Sequence, residues 1–311
     1  MTDSSTPPMP PSPPPPPPTR YVVAGPPLDA RLNAFRSDLA DQRLQGRVSA
    51  TKFVAGTPGQ LVRARVGVRR HPGPTEPLDT EALFGETVRV FDTADGAAWV
   101  QLDRDGYVGY VPADALSRDI VPATHRVSAL ATFVYAVPDI KTPPLMQLPL
   151  GARIALVSMD DRFGGLASGG FVVLRHIAED GRHARDFVDV AERFIGTPYL
   201  WGGRTRYGLD CSGLVQTALD AAGIPAPRDT DMQQVALGTE VLIPADLDGL
   251  DRGDLVFWPG HVGIMTDSVM LLHANAHHMA VAVEPLNFTA ERIAKAGGGR
   301  ITGLRRIQGL F

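Results

Sequence analysis

The sequence predicts an α+β protein: two small β-barrels ahead of a domain in which helices precede an antiparallel sheet. Two observations carry this. Between residues 50 and 180, short apolar or alternating runs are separated by Gly, Pro and Asp clusters, as in small barrels and sandwiches. From Asp186 the periodicity turns helical, with two amphipathic segments followed by apolar, strand-like runs. At 311 residues, 44% hydrophobic and 21% charged, the chain has material for about two domains and at least one sizeable core.

Composition excludes several classes. Lys and Arg number 30 against 34 Asp and Glu, a net charge of −4, which argues against a nucleic-acid partner. A single cysteine rules out an intramolecular disulfide and any multi-cysteine zinc site. With no apolar run of about 18 residues, a membrane-spanning helix is not expected. The N-terminus lacks a basic region, an apolar stretch and a cleavage site, so a cytoplasmic location is expected.

Each element has its own signal. Residues 1–27 read as a disordered tail, with ten prolines among residues 7–18 favouring polyproline II. Residues 28–49 read as an N-terminal helix, because Leu28, Leu32, Phe35 and Leu39 recur at three- and four-residue spacing before Gly46. Residues 50–120 form the first barrel, from the strands LVRARVGV, TVRVFD, AAWVQLD and GYVGYVP. Residues 121–180 form the second, from RVSALATFVYAV, ARIALVSM and GFVVLRHI, broken by PDIKTPP, LPLG and FGGLASGG. Residues 181–311 hold the helices DFVDVAERFIG and CSGLVQTALDAAG, the latter closed by Gly223. The strands DLVFWPG, HVGIMTD, VMLLHANA and ITGLRRI complete that domain.

Chemistry concentrates in this last region. Cys211 stands at the mouth of the second helix, where free N–H groups and the positive dipole end favour a thiolate. A lone cysteine is as often a buried structural residue. His261 opens one strand and His273 lies near the end of the next, with the turn signal Asp267-Ser268 between them. A hairpin centred on Asp267 sets the two histidines directly opposite on one face, roughly 4.5–5.5 Å apart at Cβ. Slipping by one residue would separate them onto opposite faces. Paired, one imidazole can act on the thiol while the other fixes its orientation. A zinc ion on Cys211, His261 and His273 ranks lower, since neither CxxC nor HExxH spacing is present.

The segments PYLWGGRTRYGLDCSGLVQ, PRDTDMQQ, GDLVFWPGHVGIMTD and LLHA resemble the NlpC/P60 family of papain-like cysteine peptidases, over residues 186 to about 310. The stretch LFGETVRVFDTADGAAWVQLDRDGYVGYVPADAL resembles a bacterial SH3-like domain, and the strand order repeats in the second barrel. The resemblance implies that Cys211 is the nucleophile, His261 the base, His273 the residue orienting it, and Tyr199 a group beside the oxyanion.

The same resemblance implies a function. Family members cleave cell-wall peptides after γ-D-glutamate, usually before meso-diaminopimelate. A subgroup with two SH3-like domains requires a free N-terminal L-alanine. For its ammonium group Asp210 and Ser212 are candidates, with Tyr107 from the first barrel and Tyr110 as rival. Asp210 reads equally as a helix N-cap. Trp201 walls the cleft or belongs to the core, Thr230 lies near the substrate, and Arg228 and Asp229 can form a structural pair. The expected activity is a cytoplasmic γ-D-glutamyl–diamino acid endopeptidase in murein peptide recycling, with a peptidoglycan-derived peptide as its partner. No metal or organic cofactor and no obligate protein partner are expected. The competing readings are an exported cell-wall hydrolase, a non-catalytic binding module and an acyl transferase on the same scaffold.

Overall fold

The computed structural model describes residues 28–244 and 246–307. The proline-rich segment at 7–18, and with it the expected tail, lies outside the described residues.

Residues 28–49 do not form the expected helix. They make a turn, an isolated bridge between Phe35 and Ala40, a short strand Leu39–Asp41 parallel to Lys52–Val54, and a 3-10 turn Gln42–Leu44. The aspartates between the apolar positions explain the difference. Asp29 Oδ1 accepts the Arg31 N–H and Asp41 Oδ1 the Arg43 N–H, each at 2.9 Å. Such local side-chain bonds compete with a helical ladder. Ala34 and Leu39 are buried with Phe91 and Trp99, so the segment is a strap on the first barrel.

That barrel is a seven-stranded sheet in the order Leu78–Leu83, Arg65–Arg69, Val108–Pro112, Ala97–Leu102, Thr87–Ala94, Thr57–Leu61, Leu116–Ser117. The run LVRARVGV is split between two strands, because the chain turns a corner between Leu61 and Arg65. Leu61, Val68, Val88, Val100 and Leu102 fill its interior. The second unit has a five-stranded sheet and a three-stranded sheet around Val127, Val134, Leu148 and Val172. Of its strands, Phe163–Leu166 occupies a stretch that reads as a break in the sequence, and Pro144–Pro149 overlaps the ends of two such stretches.

The last unit carries helices α1 (Phe187–Glu192), α2 (Cys211–Ala221) and α3 (Thr230–Ala236). Its six-stranded antiparallel sheet runs Thr239–Val241, Gly303–Arg306, Leu255–Trp258, His261–Met265, Met270–Asn275, Ala280–Pro285. The Ala280–Pro285 strand and helix α4 (Leu286–Lys295) are additions to the sequence reading. Helix α2 is buried along nearly its whole length, packed on the His261–Met265 and Met270–Asn275 strands. Phe187, Phe194, Leu214, Leu219, Ile264 and Leu272 close that core.

Both β-rich units grip this domain. Arg204, fully buried, donates from Nη1 to Glu86 Oε1 at 2.9 Å and from its backbone N–H to Glu81 Oε2 at 3.0 Å. Arg126 of the second unit donates to the carbonyls of Asp220 at 3.1 Å and Ala221 at 2.8 Å. Those carbonyls lie in the last turn of α2 and also accept the backbone N–H groups of Gly223 and Ala184.

Candidate active site

Helix α2 begins at Cys211, and Asp210 caps it by accepting the Gly213 N–H on Oδ1 at 2.7 Å. The loop before it must come very close. Gly202 has φ +77°, and a Cβ there would meet the Leu78 carbonyl oxygen at 2.6 Å. A Cβ on Gly213 would meet the Gly203 carbonyl oxygen at 2.2 Å. The glycines of WGG and DCSG thus allow loop, barrel and helix start to converge around the sulfur.

Cys211 is buried, with Sγ 3.8 Å from Thr230 Oγ1 and 4.0 Å from the Gly260 carbonyl to which it donates. Burial works against the expected thiolate. Burial and then the charge of Asp210 push the thiol up to about 11, against smaller opposing effects of the Val262 N–H, Thr230 and Arg228. Desolvation exceeds the dipole, whose influence is about 0.3–2 kcal/mol.

The hairpin register differs by two residues from one centred on Asp267: Ile264 pairs with Leu272 and Met265 with Leu271. Carried on, this sets His273 diagonal to His261 rather than opposite. A shift of two keeps both on one face. Their rings meet edge-on, with His261 Nε2 2.8 Å from His273 Nδ1. His273 Nε2 in turn lies 2.8 Å from Glu284 Oε1. Burial lowers His261 to about 3, helped by His273, and lowers His273 to about 4 against the pull of Glu284. These shifts favour a neutral thiol and neutral imidazoles at rest. Among the described residues no group of three His, Cys, Asp or Glu side chains is placed to hold a metal ion.

A cleft of about 320 Å³ opens between the first barrel and the start of α2. Cys211, Tyr199, Trp201, Asp210, Ser212, Thr230 and Tyr107 all line it. Trp201 is exposed and is therefore a wall rather than core. Tyr199 is half-buried, its hydroxyl pushed up by burial and then by Cys211 and Asp210. Tyr107 donates to Asp229 Oδ2 at 3.2 Å, whereas Tyr110 accepts from Arg36 on the strap, outside the cleft lining.

Asp210 is tied into the start of α2: Oδ2 accepts from Gly202 N–H at 2.8 Å and Arg228 Nη2 at 2.6 Å, while Oδ1 caps α2. Arg228 consequently pairs with Asp210 rather than with Asp229, and its Nη1 also donates to Ser212 Oγ at 2.8 Å. The accessible acids in the cleft are Asp79, Asp229 and Asp231, the last paired with Arg31. Asp79 and Glu284 escaped the sequence reading. Asp79 is far from the signature segments, and Glu284 lies one hairpin beyond them. The alternation VAVEP was the available signal for Glu284, placing one acid on the face shared with His273.

A lone cysteine opening a helix, an imidazole pair on an adjoining antiparallel sheet and a carboxylate behind them define a cysteine-peptidase class. Residues 196–296 match the NlpC/P60 family and residues 68–116 match the bacterial dipeptidyl-peptidase SH3 domain. The chain thus carries an NlpC/P60 domain and is a hydrolase. A gamma-D-glutamyl-L-lysine dipeptidyl-peptidase of Bacillus cereus is 27% identical over 259 residues, 72% of this chain and 74% of that one. Its namesake from Bacillus subtilis is 29% identical over 220 residues, 63% of this chain and 72% of the relative. In fold, the crystal structure of an NlpC/P60 family protein from Bacillus cereus matches with a TM-score of 0.68 at 20% identity, covering 81% of this chain and all of that one. No helix among the described residues is long and apolar enough to cross a membrane.

Proposed function

We propose that the protein hydrolyses the amide after γ-D-glutamate in peptidoglycan stem peptides whose N-terminal L-alanine carries a free amine, releasing L-Ala-D-Glu. The next residue is a diamino acid: L-lysine in the names of the relatives, meso-diaminopimelate as the alternative. A dipeptide-releasing preference suits peptides already freed from the glycan, hence a role in recycling. The domain plan is a strap at 28–49, SH3-like units at 50–120 and 121–180, and the peptidase at 181–311.

The observation that carries this reading is the acidic corner of the cleft. Asp79 and Asp229 line it together with the Tyr107 hydroxyl. Burial, opposed by Arg70 and reinforced by Asp229, raises the Asp79 carboxyl, so a cation between the two acids would be favoured. Arg31 donates to Asp229 at 2.7 Å and Tyr107 also uses the same Oδ2; Oδ1 has no donor among the described residues. An ammonium group can share that carboxylate, whereas an acylated amine brings no charge to it.

In the mechanism, Nδ1 is the nitrogen of His261 left for the thiol, since Nε2 is engaged with His273. The resting pair is neutral, so the proton moves from Sγ to Nδ1 as sulfur attacks the carbonyl. The Cys211 N–H, without a partner inside α2, and the Tyr199 hydroxyl stabilise the oxyanion. The imidazolium protonates the leaving amine as the C–N bond breaks. Water, deprotonated by the same nitrogen, then cleaves the thioester.

The test compares L-Ala-γ-D-Glu-meso-diaminopimelate, its L-lysine counterpart and their N-acetyl forms, with mass spectrometry of the products. Release of L-Ala-D-Glu from the free peptides alone supports the reading. Equal cleavage of the acetylated forms overturns the free-amine preference and favours action on glycan-attached stems.

A further inference from the structure

We propose that Glu284 is a positioning residue that decides which nitrogen of His261 is free to act as base, adding a fourth group to the line Cys211–His261–His273. The inference rests on Cys211 as nucleophile and His261 as base in the proposed reaction.

The placement is set by strand register. His273 pairs with Ala282 and Leu271 with Glu284, so Glu284 is diagonal to His273 on the same face. His273 is fully buried, and its Nε2 lies 2.8 Å from Glu284 Oε1. Arg292, on α4, donates from Nη2 to that same oxygen. His278 Nδ1, from the turn between the two strands, is 4.0 Å away. These groups, with His261 and, beyond it, Cys211 and Asp210, are the titratable and charged neighbours of the pair.

One order of protons satisfies every contact. An ionised carboxylate only accepts, so His273 carries its proton on Nε2. Neutral His273 then has a bare Nδ1, which accepts from Nε2–H of His261. Neutral His261 is left with a bare Nδ1, the nitrogen that can take a proton from sulfur. Without the carboxylate, His273 can hold its proton on Nδ1 instead. His261 Nε2 would then accept, its proton would sit on Nδ1, and the base would point a proton at the thiol. Arg292 on the same oxygen offsets the negative charge of Glu284. Its chief influence is therefore on proton placement rather than on the electric field at His261.

That distinction gives the variants different outcomes. In Glu284→Gln, Arg292 can only donate, which turns the amide oxygen toward His273 and preserves the tautomer. This variant should keep kcat within about threefold of wild type. Glu284→Leu removes the acceptor and should lower kcat about 10- to 100-fold, the usual scale for a lost outer-shell hydrogen bond, with KM nearly unchanged. Nitrogen-15 NMR of the histidine rings should show His273 protonated on Nε2 in wild type and in Glu284→Gln, and redistributed in Glu284→Leu. Wild-type protein with His273 protonated on Nδ1 overturns the proposal without recourse to any variant. Wild-type kcat in a folded Glu284→Leu overturns it as well. Cys211→Ala and His261→Ala, assayed on the same peptide, separate the two failures. If they retain cleavage, the underlying reading is wrong; if they abolish it while Glu284→Leu does not, only this inference falls.

Discussion

The Arg228 guanidinium donates to Asp210 Oδ2 at 2.6 Å, with both side chains withdrawn from solvent. The pair lies directly behind the sulfur: Asp210 precedes Cys211, and Arg228 reaches on to Thr80 Oγ1 of the first barrel at 2.9 Å. It makes Asp210 a fixture of the helix start.

Removing one member of a buried pair leaves the other charged and unpartnered, at a cost of about 3–5 kcal/mol. Arg228→Met should lose stability on that scale in urea denaturation. Asp210→Asn should also destabilise, yet leave the preference for a free over an acetylated amine unchanged. An Asp210→Asn variant that is stable but indifferent to acetylation would restore the ammonium role to Asp210.

The acidic corner makes a complementary prediction. A hydrogen bond to a charged group contributes about 1.5–3 kcal/mol, or roughly 10- to 150-fold in binding. Asp229→Asn and Asp79→Asn should raise KM for the free peptide within that range with little change in kcat. Tyr107→Phe, which removes a neutral donor to Asp229, should cost less, about two- to tenfold. Steady-state kinetics on the free and acetylated peptides would show whether the loss is confined to the amine-bearing substrate.

The neutral resting thiol should appear in chemical modification. Burial holds Cys211 as a thiol up to about 11, so the thiolate fraction grows about tenfold per pH unit through the neutral range. Iodoacetamide alkylation of the free enzyme should rise steadily from pH 6 to about 9. A plateau already at pH 5 to 6 would instead reveal a preformed thiolate–imidazolium pair.

Acid should weaken the fold through the same residues. His261 and His273 bind protons less readily folded than unfolded, with folded values near 3 and 4 against an ordinary 6.5. Their contribution to stability is complete above about pH 6.5 and is lost as pH falls toward 3, on the order of a few kcal/mol together. Thermal melts between pH 7 and 4 should show a falling midpoint. A His261→Gln, His273→Gln double variant should show a flatter decline.

How legible the site is in the sequence depends on distance along the chain. Cys211, Tyr199, Trp201, Ser212 and Thr230 lie within a few dozen residues and meet in the cleft because α2 and its flanking loops are local structure. The two histidines share a face because a hairpin preserves side-chain parity even when its register is misjudged by two. Asp79 belongs to a barrel strand that reaches the cleft only through tertiary docking, and no local spacing announces it. The strap at 28–49 misled the periodicity reading because Asp29 and Asp41 bond their own neighbours' N–H groups while the apolar side chains face Trp99.

The two grips on α2 bear on how the chain matures. The first barrel reaches its opening turn through Thr80 and Arg228, and the second unit holds its final carbonyls through Arg126. Both β-rich units leave the ribosome before the helix does. Synthesis therefore presents the sulfur-bearing segment to a template that has already folded, domains forming as units from the N-terminus. The C-terminal domain expressed alone would lack Arg126, Thr80, Glu81 and Glu86. Transplanting it onto foreign barrels would succeed only where those four positions came with it.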